Sequence, residues 1–249
     1  MNEVINTLLN HRSVRSFQDK KLSREQIETI VTAAQSASTS SYVQSYTIIG
    51  VTEPAKKARL AELAGGQTYV EKNGHFFVFC ADLYRHDLAG EMEGLDITES
   101  IQSTELFMVS LIDTALVAQN AAIAAESMGL GICYIGGIRN NLREVSTLLN
   151  IPEYVVPLFG MSVGYSENIP DQKPRLPLNN VYHENEYEQN KEQLKEQLQQ
   201  YNETISHYYG KRTEGKRTDG WTKLMATKLS KPNRTYMKDF LNEKGFSLK

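Results

Sequence analysis

Val4, Ile5, Leu8 and Leu9 recur at helical spacing, which predicts a short helix over residues 2–11. Ser23 followed by Gln26 makes a capping-box pattern ahead of Ile27, Ile30 and Val31, so a second helix is expected over about 23–37. The small hydroxyl residues of SASTSSY (36–42) end it, and YTIIGV (46–51) reads as a strand. PAKKARLAELAGG has Pro54 in its first turn and Gly65 near its end, the asymmetry of a helix. HFFVFCAD (75–82) is apolar without alternation, the mark of a buried strand. The acidic stretch 87–105 has no clear period and is expected to be a loop or a mobile cover.

Residues 104–128 carry the longest helical pattern, apolar over most of the circumference and rich in alanine. Such a helix is buried, either at the centre of a monomer or against its own copy in a dimer. GLGICYIGG (129–137) reads as a strand ending in two glycines, NLREVSTLLN as a helix, and YVVPLFGMSVGY (154–165) as a strand whose Pro157 favours an edge or a bulge. This mixture of strands and helices indicates an α+β or α/β domain. The character changes near residue 166, where SENIPDQKPRLP has three prolines and little to bury. Residues 183–249 are polar and helical in pattern, with 13 Lys+Arg against 10 Asp+Glu, a net +3 that leaves −6 on residues 1–182. The division expected is a core over 1–182 and a helical extension over 183–249, read as a small domain or as an arm around a partner.

Composition narrows the function. The apolar fraction, 40% of 249 residues, is enough for a sizeable core. A net charge of −3 gives no electrostatic ground for a nucleic-acid or anionic-membrane partner. No window reaches 18 consecutive apolar residues, which argues against a membrane span. The start, MNEVINTLLNHRS, has neither the basic nor the apolar region of a signal peptide. Cys80 and Cys133 lie in apolar runs, as buried free thiols of a reducing compartment do, and a cytoplasmic location is expected. The five histidines show no metal-ligand spacing, so no metal is expected. The chain has no G-x-S-x-G, H-E-x-x-H or C-x-x-C motif and no phosphate loop.

One cluster carries chemistry. NHRSVRSF (10–17) crowds His11, Arg12 and Arg15 around Ser13. A solvated helix end is one reading and an anion site is the other. Lys173 and Arg175 in QKPRLP favour the anion site, because Pro174 and Pro177 stiffen the backbone that carries them. A guanidinium fork and an ammonium point charge together suit a phosphorylated ligand. GLGICYIGG lacks the dinucleotide fingerprint and precedes a strand instead of following one. Its YIGG end still permits a backbone to lie close against a ligand, and AGGQ places the Gln67 amide where a helix turns.

HRSVRSF, STSSYVQ, GGQ, FVFCADLYRH, DTALVAQNAAIAAESMGLGICYIGGIRNN, LFGMSVGY and PDQKPRLP occur in that order over essentially the whole chain. In this the chain resembles the nitroreductase superfamily, specifically its NADPH-dependent flavin reductase and oxygen-insensitive nitroreductase branch. The resemblance implies an α+β fold with a mixed, mainly antiparallel sheet flanked by helices. It further implies an obligate homodimer embraced by the C-terminal extension, with non-covalent FMN at the interface. His11, Arg12, Ser13 and Arg15 would then lie along the FMN, with Lys173 and Arg175 on or near its phosphate and Gln67 bonded to the ring system. Tyr134, Ile135, Gly136 and Gly137 would run beside the isoalloxazine, backbone first. Thr39, Ser40 and Ser41 would reach the FMN from the other subunit, with Tyr42 of the same loop toward NADPH or substrate and Thr39 standing where a serine is common.

The activity implied is a ping-pong NADPH oxidoreductase that passes hydride through flavin N5 to nitroaromatics, free flavins, quinones or disulfides, with no side-chain nucleophile. A flavin-binding or redox-sensing protein of low turnover is one alternative, and a nonredox module that binds a phosphorylated ligand is another. Arg212 and Arg217, in YYGKRTEGKRTDGW, are expected to meet the 2′-phosphate of NADPH, against the reading of a solvated basic loop. Arg234 matches a substrate-contact position within a poorly matched motif.

Overall fold

The capping box at Ser23 forms in the computed structural model, which describes residues 2–249. Ser23 Oγ accepts from Gln26 N at 3.1 Å, and Gln26 Oε1 accepts from Ser23 N at 3.0 Å. It starts α2 (Arg24–Gln35), which follows α1 (Glu3–Leu9). The chain continues through a 3₁₀ turn (Ser40–Tyr42), β1 (Tyr46–Val51), α3 (Pro54–Leu63), α4 (Thr68–Glu71) and β2 (His75–Asp82). Next come α5 (Tyr84–Glu93), α6 (Thr98–Ile101), α7 (Thr104–Ser127), β3 (Gly131–Ile135), a 3₁₀ turn (Gly136–Asn140), α8 (Leu142–Leu148) and β4 (Val155–Gly164). The last helices are α9 (Lys191–Arg212), α10 (Trp221–Leu229) and α11 (Met237–Glu243).

The strands form one sheet in the order β1-β2-β4-β3, and each ladder is antiparallel. The parallel component expected of a mixed sheet is an isolated bridge between Ser13 and Ile132. Every residue of β2 is buried, as its unbroken apolar run requires. Phe77 and Phe79 face α2 and α7, packing with Val117, Ala118 and Ala121. Phe76, Val78 and Cys80 face the opposite way, toward Leu60 and Leu63 of α3 and Val145 of α8. The sheet is therefore a filled middle layer, and both thiols are free and buried.

Pro157 lies on β4, an interior strand, which at first sight contradicts an edge position. The register resolves this. β3 pairs only with residues 160–164 of β4, so at Pro157 the strand has β2 as its sole neighbour. The ladder also slips there, between Phe79 and Cys80, leaving Leu158 unmatched as a bulge. The stretch 87–105, expected to be a loop, instead contains part of α5 and all of α6. Gly94 ends α5 in the left-handed region (φ +65°), and Leu95 N bonds back to Gly90 O at 2.9 Å. Two short helices joined by such a turn leave no sustained period in the sequence. The strand expected over 129–137 is shorter, because Gly136 and Gly137 coil into the 3₁₀ turn.

The chain divides into two compact units, Met1–Pro170 with Arg234–Lys249, and Asp171–Asn233. The division expected at 182/183 falls inside the second unit, and the last 16 residues belong to the first. There Phe240, Leu241 and Phe246 are buried with Leu83, Ile101 and Leu142. In the second unit α9 and α10 are clamped by Asn202, whose Oδ1 accepts from Thr222 N and whose Nδ2 donates to Thr222 Oγ1, both at 2.9 Å.

Among the described residues, α7 alone is long and apolar enough to cross a membrane, on length and composition. Its polar residues Ser110, Asp113 and Thr114 are nevertheless buried and bonded within the protein: Thr114 Oγ1 reaches Ser110 O at 2.7 Å, and Asp113 holds a loop described below. Met108, Ile112 and Leu116, spaced four apart along α7, are about half exposed and form an apolar stripe.

Candidate functional site

Val14 N donates to Ile132 O at 2.8 Å, which lays residues 11–15 beside β3. Arg15 thereby comes near Tyr69 and Cys133, with its Nη1 donating to Ser13 O at 3.4 Å. Burial raises the pKa of Tyr69, the Cys133 thiol adds to the shift, and Arg15 opposes it. Burial also raises Cys133, against Arg15 and a hydrogen bond with Ser13. The Tyr69 hydroxyl donates to Gln67 Oε1, and Gln67 Nε2 donates to Ala64 O at 2.6 Å. The amide is thus fixed at both ends, with one N–H and one lone pair to spare. Gly137 closes against it: a Cβ there would lie 2.4 Å from both Ala64 O and Gln67 Nε2. Ser13, Arg15, Gln67 and Gly137 are therefore brought to one place, with an exposed guanidinium and an oriented amide beside a bare backbone.

Ile135 is buried and supplies only backbone. Tyr134 sends its hydroxyl to Ala118 O on α7 at 2.7 Å, and burial raises its pKa strongly, so its side chain anchors β3 to α7. Gly136 has the Arg139 guanidinium 3.1 Å from where a Cβ would stand. Arg139 is half-buried, and burial and then the nearby Arg234 lower its pKa. Arg234 donates through Nε and Nη2 to Asn140 Oδ1 at 3.0 and 2.9 Å, so it lies at the far end of the turn that Gly136 opens.

His11 and Arg12 stand apart from that cluster. His11 Nδ1 is 2.8 Å from Glu126 Oε1 on α7, and Arg12 Nε donates to Asn10 O at 2.9 Å. The hydroxyl loop is held elsewhere on the same helix. Asp113 Oδ1 accepts from Ser40 N at 2.9 Å, while Oδ2 accepts from Ser45 N at 3.1 Å and Ser45 Oγ at 2.9 Å. Thr39 precedes this turn, Ser41, Tyr42 and Gln44 take positive φ, and Tyr42 is 82% exposed. Asp113 and Glu126 are 13 residues apart on α7, about 20 Å at the helical rise. Within one chain the hydroxyl loop and the His11 end of the basic segment are therefore distant.

In the second unit, the basic residues gather on tyrosines. Arg217 stacks over the Tyr209 ring at 3.9 Å, and Lys173 lies 5.3 Å from the same centroid. A hydrogen bond from Lys173 lowers the pKa of Tyr209; burial opposes it, and the charges of Lys173, Arg217 and Arg212 reinforce it. Arg212 Nη1 donates to the Tyr208 hydroxyl at 2.7 Å, and Arg175 is near Tyr201. Lys173 and Arg217, assigned from sequence to two different phosphates, share one aromatic ring.

The sequence reading missed Tyr69, Asp113 and Tyr209. Asp113 had a signal, since a lone carboxylate in the apolar LIDTALV stretch must find buried donors. Tyr69 and Tyr209 had none, for only the fold brings Arg15 and Lys173 to them. Among the described residues no cluster of His, Cys, Asp and Glu could hold a metal.

This arrangement lies in a chain whose residues 8–165 match the nitroreductase family model and whose residues 173–249 match that of the nitroreductase family C-terminal domain. The chain belongs to the nitroreductase family. It is 56% identical over 247 residues to the FMN reductase (NADPH) of Bacillus subtilis (strain 168), covering 99% of each chain. It is 47% identical over 242 residues to the Cr(VI) reductase of Pseudomonas sp. (strain G-1), covering 97% of this chain and 98% of that one. The solved structure of B. megaterium NfrA1 superposes with a TM-score of 0.97 at 61% identity, covering 98% of this chain and 99% of that one.

Proposed function

We propose that this protein is an FMN-dependent NADPH oxidoreductase acting by a ping-pong cycle on small electron acceptors such as nitroaromatics, free flavins, quinones or disulfides. The observation that carries the reading is the Tyr69–Gln67 hydrogen bond closed against Gly137, with the charge of Arg15 nearby. Its donor set fits a flat, electron-accepting heterocycle: a bare backbone for the ring to lie on, a fixed amide at its edge, and a cation toward which negative charge can develop. Bound FMN would supply the redox chemistry, taking hydride from NADPH and passing it to the acceptor. The protein's residues orient the ring and stabilise charge, and none is needed as a nucleophile. The names of the relatives, an NADPH-linked FMN reductase foremost, point the same way.

In the second unit, Lys173 and Arg175 are assigned to the phosphate of FMN, and Arg212 and Arg217 to the 2′-phosphate of NADPH. The guanidinium and ammonium groups around Tyr209 support this assignment. His11, Arg12 and Ser13 are assigned to the FMN, and Arg234 to substrate. We assign Thr39, Ser40, Ser41 and Tyr42 to a site completed by a second copy of the chain. The span of about 20 Å between the Asp113 and Glu126 anchors and the exposed α7 stripe support a homodimer. The free buried thiols favour a cytoplasmic home.

Purified protein is expected to be yellow and to bleach with NADPH, without oxygen, within a catalytic time. A colourless protein that ignores added FMN overturns the reading. Arg15→Ala is expected to weaken FMN binding by roughly tenfold to a hundredfold in a fluorescence titration of the apoprotein.

A further inference from the structure

A cavity in the first unit uses none of the residues assigned above. It measures about 490 Å3, within the range of small-molecule sites. We propose that it binds a small carboxylate with an apolar body, an aromatic carboxylate being the simplest example.

The cavity opens where β1 ends and β2 begins, between Val51 and His75, and is flanked by Lys57 of α3 and by Asn73. Its floor includes the buried side chains Phe17, Leu22 and Val51, which would receive the apolar body. Two polar groups on the wall lack their natural partners. Lys57 is half-buried, donates to Asn73 O at 3.0 Å, and has no carboxylate within 4 Å among the described residues. An ammonium has three donors, so two are free to meet an anion. Burial lowers its pKa, the neighbouring charge of Lys21 lowers it further, and Glu71 and Asp19 oppose this from beyond ion-pair distance. His75 is 5% exposed and its Nε2 has no hydrogen-bond partner. Burial, with Lys57 nearby, holds its pKa at about 4, so the imidazole is neutral at physiological pH and carries a single N–H.

One cation beside one neutral ring matches a single negative charge. A phosphate dianion fits less well, because the other charged residues of the lining, Asp19, Lys21, Glu71, Lys72 and Glu167, are exposed and mixed in sign. The apolar floor then selects carboxylates with a hydrophobic body over acetate or formate.

The test is calorimetric titration of benzoate into the FMN-loaded enzyme. Saturable binding at one site per chain is expected, with a Kd on the order of 0.1–1 mM for so small a ligand. Lys57→Met is expected to weaken it at least about tenfold, while Lys57→Arg, which keeps the charge, stays within about threefold. FMN content and NADPH-driven flavin bleaching are expected to be unchanged in both variants. In crystals soaked with 4-iodobenzoate, the iodine is expected beside Phe17 and Leu22. Absence of saturable binding, equal affinity in Lys57→Met, or iodine found only against the flavin overturns the proposal.

Discussion

Asp113 is the residue on which the hydroxyl loop hangs, and Asp113→Asn isolates its contribution without changing its volume. The native carboxylate is fully buried and accepts three hydrogen bonds, from Ser40 N, Ser45 N and Ser45 Oγ. An amide offers one acceptor oxygen where two are used. In either orientation its NH2 faces at least one backbone N–H. A hydrogen bond to a charged group contributes about 1.5–3 kcal/mol, and a buried donor left unpaired costs about 1–3 kcal/mol. The substitution is therefore expected to cost on the order of 2–3 kcal/mol, which lowers Tm by roughly 5–10 °C for a chain of this size. The loss should be local as well as global, because Ser41, Tyr42 and Gln44 hold positive φ only while the loop is pinned. Urea denaturation of the apoprotein measures the global cost, and hydrogen exchange at residues 40–46 the local one. A variant within about 0.5 kcal/mol of wild type, with unchanged exchange in that segment, refutes the claim that Asp113 holds the loop.

Gly137→Ala places a methyl group against Ala64 O and Gln67 Nε2; it is expected to cost about 1–3 kcal/mol and to weaken FMN binding, read by thermal melts with and without the flavin. His75 has a folded pKa of about 4 against an ordinary value of 6.5, so the unfolded chain binds the extra proton between these limits. Its contribution is fully present above pH 6.5 and is lost as pH falls toward 4, on the order of 3 kcal/mol, and His75→Phe should flatten the stability profile in that window alone. Arg212→Ala with Arg217→Ala should raise KM for NADPH and leave NADH nearly untouched, with the preference shrinking as salt is added; equal losses for both cofactors in steady-state kinetics contradict the 2′-phosphate assignment.

The elements governed by local rules were legible in the sequence. The Ser23–Gln26 capping box, the unbroken apolar run of β2 and the alanine-rich α7 each announce themselves within a few turns. α5 and α6 were not, because charged residues face outward from helices too short to build a period. The return of residues 234–249 to the first unit was hidden for a different reason. Phe240, Leu241 and Phe246 look like a sparse tail until Leu83 and Ile101 supply their partners. At the candidate site, the order of motifs pointed to Arg15, Gln67 and Gly137, which the fold brings near one another. It could not show that Tyr69 holds Gln67 within the influence of Arg15, since Arg15 and Tyr69 are 54 residues apart. Nor could it show that Lys173 and Arg217 converge on Tyr209, since helix α9 lies between them in the chain.

That same return sets a timetable for the newborn chain. A ribosome delivers residues in order, and domains generally fold as their sequence emerges. Here the cluster of Leu83, Ile101, Leu142 and Val156 lacks Phe240 and Phe246 until all of Asp171–Asn233 has already been made. The second unit, uninterrupted in sequence, is released whole before the first unit can close. During that interval an apolar face of the first unit is open to solvent, which makes it the natural place for a chaperone to engage and for premature termination to produce aggregates.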